Sequence, residues 1–445
     1  MSVIPAVAAP GALKVPPVQE RLLSNGLRVL AVRRASVPVV ELRLRIPVGP
    51  PDAKGSGAKS GRERAAATLL AETMLAGTET RDRSQLATEL QTLGAGLSAS
   101  IDNDRLALIG SVLAPNLKQL LALLSEVIAT ASYPKREVSG ERERLVAELA
   151  IARSQPAVQA REAFLARLYG KHPYAVEIPS PKALEAVTAK ELRTLHEHTV
   201  SPKGAVLTLV GDLRPAAALD AVEAALGGWS GRAAKALPKL PKHVPGGVTI
   251  SDRPGAVQTN IRLGGPSLTR TAPNYAALQV ANVVFGGYFS SRLVNNIRED
   301  KGYTYSPRSS IEHAAVGSRF VVAADVATEV TGPALLEILY ELGKVALLPL
   351  GEDELAAAKR YAAGTLALST ATSSGLASTL SMLAGSNLGP EYLREHSAAL
   401  GAVDAEAVAA VAQQFAPTEL AAVLLGDASV ITESVEAIRP LSSGR

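Results

Sequence analysis

The sequence predicts an α+β fold made of two similar, duplicated α/β-roll domains, each a mostly antiparallel sheet with helices packed on one face. The chain has 445 residues, which is too long for a single compact core. A glycine- and proline-rich stretch at 227–247 has the composition of an extended linker and divides the chain into halves of similar length. The ends of the two halves also resemble each other, which indicates an internal duplication.

The duplication is clearest in the last strand predicted for each half. Val-Leu-Thr-Leu-Val-Gly-Asp, ending at Asp212, corresponds to Ala-Val-Leu-Leu-Gly-Asp, ending at Asp427. Upstream, Thr188 and Asp404 are capping-type residues that each precede a predicted helix. The spacing between them is one residue longer than the offset that the other pairs share. Three pairs share one offset of 215 positions: Pro202 with Pro417, Gly211 with Gly426, and Asp212 with Asp427.

The remaining elements follow one order in both halves. Strands are predicted first, over 27–33 and 39–46 in the first half and over 257–263 in the second. A helix follows, over 63–75 and 275–285, and then a shorter helix that ends at glycine, over 84–93 and 291–301. A hairpin comes next, with turns at 102–104 and 313–317, and two more helices precede the closing strand.

These patterns set the expected domain bounds. The N-terminal domain is predicted over 21–229. The C-terminal domain is predicted over 249–437, and residues 230–248 form the linker between them. Residues 1–20 and 438–445 are expected to be tails.

Composition excludes several classes of function. The net charge is only +4 and aromatic residues make up 4% of the chain, so nucleic-acid binding is not expected. The absence of cysteine rules out disulfides, thiolate metal sites and cysteine nucleophiles. No uncharged apolar run reaches membrane-spanning length, and residues 1–17 lack the pattern of a signal peptide. We therefore expect a cytoplasmic protein without membrane contact.

Few residues of the chain offer chemistry. His196 and His198 are the only clustered histidines, and on a helix they point about 200° apart, so they do not face one metal. No H-E-x-x-H, Walker or G-x-S-x-G motif occurs. Arg298 ends a predicted helix, and Tyr305 lies in the strand predicted after the glycine stop at Gly302. Both can donate hydrogen bonds to an oxyanion. On residue type alone, Arg298 could equally complement a helix C-terminus and Tyr305 could be a strand-edge aromatic.

Short motifs occur in a specific order along nearly the whole chain. They are L-S-N-G-L-R-V from Leu23, Gly77-Thr78, Leu93-Gly94-Ala95, Y-G-K-H-P-Y from Tyr169, and H-T-V-S-P from His198. Together they resemble the pitrilysin/insulinase family of zinc metallopeptidases, in its half-length bacterial and mitochondrial-processing-peptidase-like branch. Each motif is weak alone, and their order and spacing give the resemblance its specificity.

The resemblance implies that the family's metal site is degenerate in this chain. The family carries H-x-x-E-H on its first long helix, five residues before Gly77-Thr78. Those positions hold Thr68, Ala71 and Glu72, so both histidine ligands and the catalytic glutamate are missing. The family's distal glutamate ligand falls at Ala147 or Glu148. We therefore expect no metal or other cofactor on this chain, and zinc on a partner subunit.

The resemblance also implies roles for the segment around Arg298. In the family, a non-metal half or partner subunit carries S-R-L…R-E-x-x-G-x-x-Y, which matches the chain from Ser291 to Tyr305. By this resemblance Arg298 and Tyr305 are catalytic residues that bind the scissile carbonyl or stabilise an oxyanion. Ser291, Arg292 and Tyr303 are expected to bind substrate. Strand alternation puts Tyr303 on the same face as Tyr305, so either tyrosine can face the substrate, and the spacing favours Tyr305.

The function implied by the resemblance is that of a non-zinc-binding subunit in a heteromeric zinc metallopeptidase that degrades or processes peptides. Its partner, in a heterodimer or larger assembly, would be a homologous subunit bearing H-x-x-E-H. Such a chain would be inactive alone and contribute to catalysis only in the complex. The alternative is an inert scaffolding homologue, like the core subunits of respiratory complexes. Retention of both Arg298 and Tyr305 favours the first interpretation.

Overall fold

Two sheets organise the structure, a computed structural model that describes residues 13–49 and 57–442. The first sheet has the strand order β1-β2-β6-β3-β5-β4, and the second has the order β7-β11-β8-β10-β9. The strands of the first sheet are β1 (Val18–Leu22), β2 (Arg28–Arg33), β3 (Val39–Pro47), β4 (Gly96–Ile101), β5 (Arg105–Leu113) and β6 (Val206–Gly211). Those of the second are β7 (Val248–Asp252), β8 (Gln258–Ser267), β9 (Arg308–Ala314), β10 (Gly317–Ala327) and β11 (Ala421–Gly426).

The two sheets repeat one topology, which confirms the duplication. Apart from β1, each strand of the first sheet has a counterpart at the same place in the second. Each sheet contains one parallel pair, β2 with β6 and β7 with β11, and its other pairs are antiparallel. The closing strands β6 and β11 are the segments that the sequence repeats. Thr188 and Asp404 each cap a helix through a side-chain oxygen, as predicted.

Helices flank both sheets. Those of the first half are α1 (Gly57–Thr73), α2 (Arg83–Thr92), α3 (Leu117–Thr130), α4 (Lys135–Ser154), α5 (Pro156–Tyr169), α6 (Pro181–Glu185), α7 (Ala189–Thr199) and α8 (Pro215–Leu226). Those of the second half are α9 (Tyr275–Asn282), α10 (Arg292–Val294), α11 (Thr331–Leu347), α12 (Glu352–Ser369), α13 (Ser373–Ala384), α14 (Tyr392–Ala402), α15 (Ala405–Val411) and α16 (Ala428–Glu436).

The regions before the closing strands hold more helices than the two predicted for each half. Five helices, α3 to α7, lie between the first hairpin and β6, and five more, α11 to α15, lie between the second hairpin and β11. Two of these ten helices cross over to the other half. Helix α13 packs on β3 and β6 of the first sheet, while α5 packs on β8 and β11 of the second. Each sheet therefore carries its own helices on one face and a helix from the other half on the opposite face.

Apolar side chains explain this exchange. Leu376, Leu380 and Leu383 of α13 are buried against Leu30 and other apolar residues on one face of the first sheet. Phe164 and Leu165 of α5 are buried in the same way with Val321 and Val423 of the second sheet. Because both contacts bury apolar area between the halves, each half stabilises the other.

Charged residues reinforce the contact between the halves. Arg161 of α5 forms ion pairs with Glu177, at 2.6 Å, and with Glu312 of β9, at 2.9 Å. Arg319 of β10 completes the network, at 2.7 Å from Glu177 and 2.5 Å from Glu312. Burial alone would raise the pKa of Glu312, but hydrogen bonds from Arg161 and the charge of Arg319 outweigh it and lower that pKa to about 2. The network is therefore ionised at neutral pH and links the two halves.

The network predicts acid-dependent stability. The pKa of Glu312 in the folded chain lies below its ordinary value of 4.5, so its contribution is complete above pH 4.5 and is lost as the pH falls towards 2. At neutral pH, Glu312→Gln should lower the free energy of unfolding by roughly 1–3 kcal/mol, because it weakens two charge-assisted contacts. The difference from the unaltered chain should shrink as the pH falls through this window, as measured by urea unfolding at several pH values.

The matched control is Glu436→Gln, which removes an exposed carboxylate at the end of α16. It should leave the stability and its pH profile close to those of the unaltered chain. A Glu312→Gln profile parallel to that of the unaltered chain down to acidic pH would contradict this account of the network.

Candidate functional site

Helix α1 carries the three degenerate metal positions, and none of them offers the family's ligand. The Thr68 hydroxyl donates a hydrogen bond to the Arg64 carbonyl one turn earlier, at 2.9 Å. Ala71 is buried in the core of the first half. Glu72 is exposed and is the only one of the three with a side chain that can bind a metal.

A guanidinium group lies beside Glu72 instead of a set of metal ligands. Arg144 of α4 donates a hydrogen bond to Glu72 at 3.2 Å and also contacts Glu141 and Glu148. The distal metal ligand of the family falls at Ala147 or Glu148. Glu148 contacts Arg144, as Glu72 does, and Ala147 is exposed. Desolvation and then the charge of Glu141 raise the pKa of Glu72. One arginine of the protein itself therefore contacts all three carboxylates, and no set of three metal ligands forms here within the described residues, so the site does not fit zinc.

The second predicted site contains an aromatic–arginine stack. The Cζ atom of Arg298 lies 4.7 Å from the centroid of the Tyr305 ring and 4.7 Å from that of Phe289. Tyr305 is 80% exposed and Phe289 is 61% exposed, whereas 27% of the Arg298 side chain is accessible. Glu299 lies 3.2 Å from the Arg298 guanidinium. We call Phe289, Arg298 and Tyr305 the aromatic–arginine stack.

Two π-helical segments shape the backbone around the stack. Residues Val283–Gly287 extend α9, and residues Asn295–Asp300 extend α10, each with π-helical hydrogen bonding. The helix predicted over 291–301 is therefore an α-helical turn followed by a π-helical one. Such segments are rare in proteins as a whole but occur often at functional sites. They shift side chains out of the regular helical register. Phe289 lies in the loop after the first of these segments, and Arg298 lies within the second.

A glycine and a short bridge then place Tyr305. Gly302 ends the helical segment with φ +67°, a conformation that favours glycine, and its amide donates to the Arg298 carbonyl at 3.1 Å. The strand predicted at 303–305 is only a bridge between Thr304 and Val326, and β9 begins at Arg308. The Thr304 hydroxyl donates to the Asp325 carbonyl at 2.7 Å and anchors the segment. Tyr305 follows this anchor and points to solvent.

The other predicted site residues make contacts that differ from those of the aromatic–arginine stack. Ser291 is buried and caps α10 by accepting a hydrogen bond from the Val294 amide at 3.4 Å. Arg292 forms a bidentate ion pair with Glu354 of α12, with both distances 2.7 Å. Tyr303 packs against the core of the second half. These contacts give Ser291 and Arg292 a structural role, and their predicted contact with substrate stays a prediction; of the two tyrosines, Tyr305 is the exposed one.

Further contacts that the sequence did not reveal hold this region in place. The Asn296 side chain donates to Glu337 at 2.9 Å and to Glu341 at 2.8 Å, both on α11. The Tyr288 ring lies 5.0 Å from that of Tyr361 on α12. The segment that displays the stack is therefore fixed to two long helices. Phe289 itself was missed, although an aromatic residue in a Gly-Gly-Tyr-Phe-Ser-Ser loop is a signal for an exposed contact residue.

The arrangement has a definite chemical capacity. Cation–π contact with the two rings limits the motion of the Arg298 guanidinium. Within the described part of the chain, no hydrogen bond engages the Tyr305 hydroxyl, which makes this donor available to a ligand. A planar cation beside an exposed phenol suits the binding of a peptide carbonyl or a carboxylate.

Family models match both halves of the chain. The model described as insulinase (peptidase family M16) matches residues 31–182, and the model described as the peptidase M16 inactive domain matches residues 186–361. The chain belongs to the pitrilysin/insulinase (M16) peptidase family. The resemblance found in the motifs is thereby confirmed, and so is the duplicated α+β fold.

Relatives of the chain carry different descriptions. An uncharacterized zinc protease of Mycobacterium bovis is 26% identical over 413 residues, covering 91% of this chain and 92% of the relative. Cytochrome b-c1 complex subunit 1 of human mitochondria is 28% identical over 285 residues, covering 62% of this chain and 56% of that protein. The solved structure of a peptidase M16 inactive domain from Pseudomonas fluorescens superposes with a TM-score of 0.83 at 24% identity, covering 92% of this chain and 98% of that one. This last match shows the fold.

Two searches of the described residues complete the site description. No three or more His, Cys, Asp or Glu side chains in residues 13–49 and 57–442 are arranged to hold a metal ion. In the same residues, no helix is both long and apolar enough to cross a membrane.

The degenerate metal positions predict the metal content. The purified chain, equilibrated with zinc and then desalted, should retain far less than one zinc ion per chain, because Arg144 already pairs with the carboxylates near α1 and the described residues bring no three metal ligands together. Inductively coupled plasma mass spectrometry measures this directly. Stoichiometric zinc that survives desalting would contradict the description of this site.

Proposed function

We propose that this chain is the non-zinc-binding subunit of a heteromeric zinc metallopeptidase that degrades or processes peptides. Arg298 and Tyr305 bind the substrate and stabilise the transition state opposite the partner's zinc. The observation that carries the proposal is the exposed aromatic–arginine stack, in a family member whose own metal positions hold Thr68, Ala71 and Glu72.

Exposure of the stack supports a role toward a second molecule. Large aromatic side chains such as Phe289 and Tyr305 lose favourable burial when they remain in water. Their exposure is therefore a cost to the isolated chain. A partner subunit or a bound peptide that covers them would recover this free energy and would reduce the exposure of Arg298.

The sheet edge next to the stack supports peptide binding. Strand β9 is the last strand of the second sheet, so within the described residues one side of it lacks a neighbouring strand. Thr304 continues the pairing along β10 beyond the end of β9, and Tyr305 lies between this bridge and β9. An extended peptide that pairs with this edge would pass close to Tyr305.

The chain's part in catalysis follows from these positions. An extended peptide presents backbone carbonyls, which accept hydrogen bonds from a guanidinium and a phenol. Negative charge that develops on a carbonyl oxygen strengthens both bonds, so Arg298 and Tyr305 would stabilise the transition state more than the bound substrate. The partner supplies the metal, and this chain supplies the two donors.

A second candidate function is an inert scaffold. The match to the human cytochrome b-c1 complex subunit 1 favours it, because that protein is by its name a subunit of a respiratory complex. A scaffold has no need for an arginine and a tyrosine donor placed together at the surface, so the two candidates differ in what the stack does.

The test of the proposal measures cleavage of a quenched fluorescent peptide by this chain mixed with a homologous H-x-x-E-H subunit of the same organism. Arg298→Ala and Tyr305→Phe should each lower kcat/KM by about 10²-fold, the usual effect of losing an oxyanion donor. Phe289→Ala should have a smaller effect, because it removes only a ring that supports Arg298.

Matched controls are Arg83→Ala, an exposed arginine on α2, and Tyr340→Phe, an exposed tyrosine on α11. Both should leave kcat/KM unchanged, and size-exclusion chromatography should show that every variant still assembles with the partner. Full activity of assembled Arg298→Ala and Tyr305→Phe complexes would support the scaffold instead.

A further inference from the structure

A cleft of about 650 Å³ lies between the two halves of the chain. Its walls come from β3 and β5 of the first sheet, from β9 and residues 269–271 of the second half, and from the C-terminal end of α13. Along β3, Leu42 and Leu44 contribute to the first-half core that also contains apolar residues of α1, while Arg43 and Arg45 alternate onto the other face. The cleft is therefore on the opposite face of the sheet from the degenerate metal positions.

The charge of the cleft is strongly positive. Its lining contains four arginines and a single carboxylate, that of Asp104. This carboxylate already accepts hydrogen bonds from the Tyr174 hydroxyl at 2.5 Å and the Ala315 amide at 2.8 Å. His313 adds no charge at neutral pH, because burial and then the charge of Arg270 lower its pKa to about 3.

Two of the four arginines have carboxylate neighbours of their own. Arg43 pairs with Glu41 at 3.0 Å, and Arg105 pairs with Asp102 at 3.2 Å. Arg45 and Arg270 lack such a partner: among the described residues, no carboxylate lies within ion-pair distance of either. Two guanidinium groups of the cleft therefore form no ion pair with these residues, although the charges of Asp102 and Asp104 act on Arg45 from a greater distance.

The position of Arg45 is set by a glycine. A Cβ atom placed on Gly385 would lie 2.1 Å from Nε of Arg45 and 2.5 Å from its Cζ. Gly385 follows α13 with φ −66°, which any residue can adopt, so a larger residue would displace the guanidinium rather than strain the backbone. Burial lowers the pKa of Arg45, and the charge of Arg105 lowers it further. The protein thus holds this cation in a partly desolvated place beside a second cation.

Arg270 faces neutral rings. Its Nη1 lies 3.4 Å from the Tyr275 hydroxyl, and its Cζ is 5.8 Å from the centroid of that ring. Its Nε is buried without a hydrogen-bond partner. The Tyr275 hydroxyl is itself 2.7 Å from Nε2 of His313. A buried donor without a partner costs free energy, which an anionic ligand in the cleft would recover.

We propose that this cleft binds a small organic oxyanion, a phosphate or carboxylate compound with anionic groups that Arg45 and Arg270 bind. The guanidinium fork suits both phosphate and carboxylate oxygens. Hydroxyl and amide side chains at the rim, among them Ser386 and Asn387, supply further hydrogen bonds. The proposal is independent of peptide processing, because it uses the face of the sheet that lies away from α1 and does not involve the aromatic–arginine stack.

The test is isothermal titration calorimetry of the full chain with two probes, inorganic pyrophosphate and citrate, at low and at high salt. At least one probe should bind, and its affinity should fall with salt. Arg45→Gln and Arg270→Gln should each weaken binding about tenfold or more, because each removes a charge-assisted contact. Arg83→Gln, which removes a charge far from the cleft lining, should not change the affinity.

A second pair of variants tests the geometry without changing any charge. Gly385→Ala should weaken binding about tenfold, because its methyl group displaces the Arg45 guanidinium, while Gly364→Ala fills open space on α12 and should have no effect. Circular dichroism checks that each variant is folded. If Arg45→Gln does not fold, the separate variants Gly385→Ala and Arg270→Gln provide the test. Binding of pyrophosphate alone identifies a phosphate ligand, and binding of citrate alone identifies a carboxylate. The proposal is overturned when neither probe binds, or when binding is unchanged in the folded variants.

Discussion

The exchange of helices between the two halves is the constraint on which the rest of the structure depends. The first sheet buries Leu30, Val32, Val206 and Val210 under α13, which belongs to the second half. The second sheet buries Val423 under α5, which belongs to the first. A half alone would expose an apolar sheet face to water, so the two halves form one folding unit although each has its own core.

This constraint also determines where binding surfaces can form. Helix α13 covers part of the first sheet and ends at Gly385, and the uncovered remainder of that face is the wall of the cationic cleft. The two hairpin tips meet at the same cleft, where Asp104 accepts a hydrogen bond from the Ala315 amide. Residues of β9 also line this cleft, whereas Phe289, Arg298 and Tyr305 of the aromatic–arginine stack are not part of its lining.

The sequence revealed those parts of the fold that local patterns encode. The offset between Gly211 and Gly426 identified the closing strands, because a strand, its glycine and the following aspartate repeat together. The helix exchange was not predictable, since the apolar stripe of α5 or α13 shows that the helix packs on a sheet but not on which sheet. The π-helical turns were also missed, because propensity does not separate π-helical from α-helical residues. The resemblance assigned Ser291 and Arg292 to substrate binding, and the structure adds contacts that the sequence did not reveal, in which Ser291 caps a helix and Arg292 pairs with Glu354.

Three arginines show why residue type alone does not determine a site. Arg144 is surrounded by Glu72, Glu141 and Glu148, so its charge is fully compensated and each of these carboxylates already has a cation as a neighbour. Arg298 has one carboxylate neighbour and two aromatic rings, which hold it at the surface as a donor toward another molecule. Arg45 lies against Gly385 in a partly desolvated cleft, and a cation without a carboxylate partner in such a place is stabilised by a bound anion. The three side chains are chemically identical, and the number of carboxylates in contact with each separates Arg144, which is paired within the protein, from Arg298 and Arg45, for which we propose peptide binding and anion binding.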